Sequence, residues 1–127
     1  MKKLFIILIL CLNMFGCASS SSNMRVGQDQ TYISLSEQRD AVKNVKIIKN
    51  ISSDYKLIGH VEASRCHRNF LENEPLTDNI IIDLQVSAFA KGADAITNIS
   101  FDDSVGGAIL KNCWHIKNGY ADMYSKL

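Results

Sequence analysis

The sequence predicts an α+β domain in which a small single sheet carries one main helix on one face. Three observations support this fold class. Residues 55–63 alternate between apolar and polar side chains, which indicates a half-buried strand. Residues 77–91 place apolar side chains at helical spacing, and residues 93–101 form an apolar run of strand length. Several strands and one long helix, without regular βαβ alternation, are typical of α+β proteins.

The remaining strands are predicted from shorter apolar runs. They lie at residues 45–48, 109–116 and 119–124. Residues 102–107 and 117–119 are rich in Asp, Asn and Gly, so they are predicted to form the turns between strands.

The main helix is predicted to begin at a capping residue, Thr77 or Asp78, and to end before Gly92. The polar stretch before it, residues 64–76, contains the single proline of the chain and is predicted to form a loop. One side of the helix should pack on the sheet. The residues predicted for that side are Ile81, Leu84 and Ala88, with Ile82 and Phe89 widening it.

The N-terminus has the features of an export signal. A short basic start precedes an apolar run at residues 4–12, which is about half the roughly 20 residues that a spanning helix requires. Gly16 followed by Cys17 resembles a bacterial lipobox. The sequence therefore predicts a lipoprotein signal peptide at residues 1–16 and lipidation of Cys17. An ordinary secretory signal is the alternative.

The segment after the signal peptide is predicted to be a tether. Residues 17–43 contain the lipidated cysteine and a polar stretch rich in Ser, Gln and Asn, mostly without periodicity. As a random coil, residues 18–41 would span about 27 Å on average and about 80 Å at full stretch. The folded domain is expected at residues 44–127.

The four cysteines have separate predicted fates. Cys11 leaves with the signal peptide and Cys17 carries lipid, so Cys66 and Cys113 remain. In an oxidising exported compartment, such a pair is expected to form a disulfide. A tetrahedral zinc site is the alternative, with the ligands Cys66, His67, Cys113 and His115. Adjacent residues on a strand point to opposite faces, so Cys66 and His67 are not expected to bind the same zinc ion.

A family resemblance combines these features. The segment Gly59-His60-Val61, a cysteine shortly after it, and the helix end Ala90-Lys91-Gly92-Ala93-Asp94-Ala95-Ile96 resemble the RcsF outer-membrane stress-sensor lipoproteins. The helix end is also similar to that of the YbjQ-like α+β proteins. The resemblance covers about residues 56–124. Two disulfides bind the RcsF domain: Cys66 and Cys113 match cysteines of that family, and Phe101 and Gly119 stand where the second bridge would lie.

The resemblance implies a non-enzymatic sensor of envelope stress in an Rcs-type phosphorelay. It would be anchored in the outer membrane with its domain facing the periplasm; Ala18 also favours this membrane, because a retention signal for the inner membrane would place Asp there. The implied partners are the membrane, through the lipid, and an envelope protein, either an outer-membrane barrel or an inner-membrane signalling protein. The alternative is a structural, small-ligand-binding or metal-binding lipoprotein of the same fold without signalling.

Contact surfaces are expected on the exposed side of the second predicted strand, at Lys56, His60 and Glu62, and in the loop at residues 64–76. His60 is expected to be solvated and Trp114 to pack against the disulfide.

Other function classes are not indicated. With 14 Lys+Arg and 13 Asp+Glu, the net charge is +1 and there is no basic stripe, so nucleic acid is not an expected partner. The sequence contains none of the common phosphate-binding, metalloprotease or nucleophile-elbow motifs. No cofactor and no catalytic residue is predicted.

Overall fold

A computed structural model describes residues 23–27, 33–105 and 113–127. These residues form a five-stranded mixed sheet and two helices. The elements in chain order are β1 Arg25–Val26, α1 Leu35–Asn44, β2 Lys46–Ile47, β3 Tyr55–His67, α2 Thr77–Ala90, β4 Ala95–Ser104 and β5 His115–Lys126. The predicted α+β class, with one main helix on one face of a single sheet, is confirmed.

The sheet has the strand order β1-β3-β5-β4-β2. Its centre is a long antiparallel pairing of β3 with β5 and of β5 with β4. At the edges, β2 joins β4 in parallel and β1 joins β3 antiparallel. α2 lies across one face of the sheet, and α1 packs against α2. Neither helix in the described part of the chain combines the length and hydrophobicity needed to cross a membrane.

The main core lies between α2 and the sheet. Ile80, Leu84 and Ala88 of α2 are fully buried there, and the helix ends before Gly92, whose φ of 78° is left-handed. Leu84 and Ala88 were predicted to face the sheet, but the helix turns Ile80 inward instead of Ile81 and leaves Ile82 exposed. Three consecutive isoleucines cannot reveal the rotational phase of a helix, which explains the difference.

Gly119 lies in the middle of β5, directly beneath α2. The sequence predicted a turn at residues 117–119 that would separate two strands, but β5 runs unbroken from His115 to Lys126. A Cβ atom at position 119 would overlap Ile80 Cγ2. The glycine therefore permits the close approach of the helix, and the turn prediction is wrong. Residues 109–112 of the strand predicted at 109–116 lie outside the described residues.

β3 and β4 both pair with β5, and both extend beyond the ends that were predicted for them. β3 continues to His67, so only the later part of the loop predicted at residues 64–76 is a loop. β4 continues through Asp102 and Asp103, which were predicted to form a turn. These residues look like turn formers in sequence, but hydrogen bonding to a distant strand overrides that local preference.

Two elements fold from the segment that was predicted to be a tether. α1 begins after Ser34, whose hydroxyl accepts a hydrogen bond from the Glu37 N–H, while the Glu37 carboxylate accepts one from the Ser34 N–H. β1 pairs with β3, and the residues just before it are bonded to the same strand, from the Asn23 N–H to the Cys66 carbonyl at 2.7 Å and from the Cys66 N–H to the Met24 carbonyl at 2.9 Å. A domain boundary at residue 44 is therefore too late. Five residues separate Cys17 from Asn23.

A buried carboxylate joins β1 to the rest of the domain. Asp83 of α2 accepts hydrogen bonds from Arg25 Nε at 2.6 Å and from Arg65 Nε and Nη2 at 2.6 and 3.0 Å. Arg65 also donates to the Asn23 carbonyl at 2.7 Å. The side chain of Asp83 is only 5% exposed. One carboxylate thus links the helix to both β1 and β3.

The predicted disulfide between Cys66 and Cys113 is confirmed, with Cα atoms 5.5 Å apart. It connects the end of β3 to the residues before β5. Both cysteines are buried with Val26 and Ile116 in a small second cluster. This cluster lies on the sheet face opposite α2, because Cys66 and Ile116 are cross-strand partners and alternate with residues that face the helix.

Candidate functional site

The sheet face opposite α2 is polar at its centre, and neither described helix covers it. We call this surface the open face. Cross-strand partners lie on the same side of a sheet, so the registers of β3, β4 and β5 define its central members, and Asn98, in the irregularity of β4, joins them through its hydrogen bond to Asp122. They are His60, Glu62, Ser64, Asn98, Ser100, Asp102, Asn118, Tyr120 and Asp122.

Asp122 organises one half of the open face. Its Oδ1 lies 2.6 Å from His60 Nδ1, and its Oδ2 accepts a hydrogen bond from Asn98 Nδ2 at 2.7 Å. Asn98 has a left-handed φ of 51° at the irregularity of β4 between Thr97 and Ser100, a conformation that Asn tolerates. This local bend directs its amide to the carboxylate.

The ionisation of Asp122 follows from these contacts. The hydrogen bond from Asn98, with the contact to His60, outweighs partial burial and lowers the pKa of Asp122 below its ordinary value of 3.8. A carboxyl whose pKa is lowered by folding contributes stability above its unfolded-state value. That contribution is lost only as the pH falls through the lowered pKa. The carboxylate therefore remains charged at any pH above 3.8.

A second set of hydrogen bonds organises the other half. Asn118 Nδ2 donates to Asp102 Oδ1 at 2.8 Å, and the Ser64 hydroxyl donates to Asn118 Oδ1 at 2.7 Å. The Tyr120 hydroxyl lies 3.4 Å from Asp102 Oδ2. Partial burial, followed by the negative charges of Asp102 and Glu62, raises the pKa of Tyr120. The network spans three strands and fixes the orientation of its side chains.

The open face contains a shallow depression of about 590 Å³. His60, Asn98, Tyr120 and Asp122 line it, together with Lys91, the residue that follows α2. Because its side chains are already oriented, this polar surface would lose little conformational entropy on binding a partner.

The predicted contact residues divide between the two faces. His60 and Glu62 lie on the open face, and His60 contacts Asp122 instead of being only solvated. The register of β3 shifts between Leu57 and Gly59, so Lys56 falls on the opposite face and its predicted grouping with His60 is wrong. The alternation of residue types alone cannot reveal such a bulge.

The disulfide end of the sheet contains the other predicted residues. Both cysteine sulfurs are bonded to each other and so cannot act as zinc ligands. His67 is buried, and its Nε2 lies 2.7 Å from the Glu72 carbonyl oxygen. Within residues 23–27, 33–105 and 113–127, no group of three or more His, Cys, Asp or Glu side chains is placed to hold a metal ion.

Trp114 was predicted to pack against the disulfide in the core, but it lies partly at the surface instead. Its side chain is 48% exposed. Its ring centroid lies 4.4 Å from that of His115, 5.3 Å from that of His67 and 6.3 Å from that of Phe70. These aromatic residues form a partly exposed group at one end of the sheet.

Asn98, Tyr120 and Asp122 were not predicted from the sequence to belong to a site. They lie on predicted strands, but their convergence depends on the register of β4 with β5 and on the irregularity at Asn98. No protein-family model and no curated protein matches this chain.

Proposed function

We propose that this protein is an outer-membrane lipoprotein that senses envelope stress by protein contact, as a component of an Rcs-type phosphorelay. The observation that carries the proposal is the open face, a preoriented polar surface that neither described helix covers. Recognition of a partner requires such a surface, and it requires no reacting group. The lipobox at Gly16 and Cys17 supports the anchored position.

The connection between lipid and domain would be short. Six peptide steps from Cys17 to Asn23 span at most about 20 Å. This is far less than the reach expected for a tether that extended to residue 41. β3, with 13 residues, adds about 43 Å along the sheet. The open face would therefore lie close to the membrane that holds the lipid. Anchoring there raises the effective concentration of the open face for binding to a neighbouring protein.

One of the two bridges that the RcsF resemblance implies is present in this domain. Cys66 and Cys113 are bonded, and Phe101 and Gly119 are cross-strand partners in β4 and β5. A Cβ atom at position 119 would overlap Ile80 Cγ2, so this packing leaves no room for the second disulfide of RcsF-like domains, and the likeness rests on the first bridge.

The charges of the open face suggest the chemistry of its partner. Glu62, Asp102 and Asp122 contribute three carboxyl groups, and the carboxylates of Asp102 and Asp122 are already oriented by hydrogen bonds. A partner surface that presents Arg, Lys or other hydrogen-bond donors would complement them. An outer-membrane barrel protein lies within the short reach of the anchor and is the partner that we favour.

The proposal predicts that open-face variants fail to signal. In a strain that lacks the gene, the wild type should restore the envelope-stress transcriptional output. Glu62→Arg combined with Tyr120→Ala should restore roughly tenfold less, as expected when an interface loses contacts worth about 1.4 kcal/mol. A transcriptional reporter measures the output, and immunoblotting checks protein abundance.

The matched control is Asp78→Arg, an exposed charge reversal on α2 that should signal as the wild type does. Cys17→Ser should lose both fatty-acid labelling and signalling. If deletion changes envelope integrity but leaves the transcriptional output unaltered, the protein is a structural lipoprotein without a sensor role.

A further inference from the structure

We infer that a second surface of the protein inserts into the lipid bilayer. We call this surface the aromatic tip, and it consists of Phe70, Leu71 and Trp114. It lies at the end of the sheet that contains the disulfide. The inference rests on the proposed lipid anchor at Cys17 for its position at the membrane, and it concerns a different surface from the open face.

The three side chains of the aromatic tip are strongly exposed. Phe70, Leu71 and Trp114 are 73%, 81% and 48% exposed. The rings of Phe70 and Trp114 meet edge to face, with centroids 6.3 Å apart. Large apolar side chains that cluster on a surface mark an interaction site. Trp, Phe and Leu together are typical of residues that lie at the boundary between lipid headgroups and acyl chains.

The aromatic tip is held in place by the structure beneath it. The Trp114 N–H donates to the His67 carbonyl at 2.8 Å, and the preceding residue, Cys113, is fixed by the disulfide. In the loop after β3, the Leu71 N–H donates to Asn69 Oδ1 at 3.0 Å. A surface that is already ordered loses less conformational entropy when it binds.

The short segment between Cys17 and the domain indicates that lipid is the partner of the aromatic tip. Asn23 is hydrogen-bonded to Cys66, next to the aromatic tip, and lies at most about 20 Å of extended chain from Cys17. A lipid attached to Cys17 would therefore bring the bilayer to this end of the sheet. The opposite end of β3, at Leu57, lies about 33 Å away, given ten residues of strand.

The charges beside the aromatic tip favour apolar insertion over electrostatic attraction to the membrane. Lys117 Nζ lies 3.8 Å from a Glu74 carboxylate oxygen. Arg68 and Glu72, in the same loop, add one charge of each sign. With Asp103, which lines the same pocket as Trp114, the group has two basic and three acidic side chains and so offers no electrostatic attraction to an anionic membrane.

Trp114 is the single tryptophan of the chain, so its fluorescence reports on the aromatic tip alone. Residues 17–127 contain every described element, and in that chain Cys17 is the one cysteine outside the disulfide. It can be coupled to a maleimide lipid in vesicles of phosphatidylethanolamine and phosphatidylglycerol. With lipids brominated in the acyl chains, Trp114 emission should fall roughly twofold, because interfacial side chains reach the acyl boundary.

Phe70→Ser combined with Leu71→Ser should abolish most of this quenching. Both side chains are exposed, so the variant should retain the circular dichroism spectrum of the wild type. Leu57→Ser, an exposed leucine at the far end of β3, is the matched control and should be quenched as the wild type is.

Absence of quenching in the wild type, or equal quenching in the wild type and the double variant, would overturn the inference. If Trp114 emission changes only when an envelope protein is added, the inference is also overturned, and the aromatic tip is a protein-binding surface. Chemical coupling supplies the anchor in this experiment. If cells do not lipidate Cys17, the proposed function fails, but the quenching measured in vesicles is unaffected.

Discussion

Asp83→Ala is expected to lower the free energy of unfolding by about 3–5 kcal/mol, the usual cost of removing one partner from a buried ion pair. Asp83 accepts hydrogen bonds from both Arg25 and Arg65, and its side chain is 5% exposed. Without it, two arginines from neighbouring strands face each other with no carboxylate between them. Urea denaturation followed by circular dichroism measures the effect.

Asp78→Ala is the matched control for this prediction. Asp78 lies on the same helix but is exposed in the first turn, where its interaction with the helix dipole contributes at most about 1 kcal/mol. A loss for Asp83→Ala that does not exceed that of Asp78→Ala would show that the arginine–carboxylate cluster contributes little to stability.

Cys113→Ser is expected to lower the free energy of unfolding by up to about 4 kcal/mol. The disulfide joins residues 47 positions apart, and the chain-entropy model assigns this stabilisation to a loop of that length. Since each 1 kcal/mol shifts the melting temperature of a domain this small by about 4–8 °C, we expect a decrease of more than 10 °C. Thermal unfolding followed by circular dichroism measures it.

Reduction of the wild type provides the control for the disulfide prediction. The reduced wild type should melt near the temperature of Cys113→Ser, and reductant should leave the variant's melting temperature unchanged. Equal melting of the oxidised and reduced wild type would mean that the bond does not stabilise the fold.

Local signals in the sequence predicted a substantial part of this fold. The length and composition of residues 77–91 identified α2, and the pairing of Cys66 with Cys113 was predicted because the other two cysteines were assigned to the expected signal peptide and lipid anchor. α1 was missed although its signal was present, because Ser34 and Glu37 have the spacing of a capping box.

Interactions between distant residues explain most of what the sequence could not predict. β1 has two residues, which is too short for any periodic pattern, and it is held by Asp83, which lies 58 positions from Arg25. Gly119 has the composition of a turn, and only the approach of α2 shows why it lies in a strand. Similarly, the open face forms only when a specific register brings Asp122 to His60 and Asn98.

Photocrosslinking in cells tests the central claim, that the open face contacts a protein partner near the membrane, most directly. A photoreactive amino acid at position 120 should give one discrete adduct with an envelope protein. The same group at Leu35, an exposed residue of α1, should not, and the yield at position 120 should fall when Cys17→Ser removes the anchor. Adducts of equal yield at both positions, or no adduct from position 62, 100 or 120, would contradict the account.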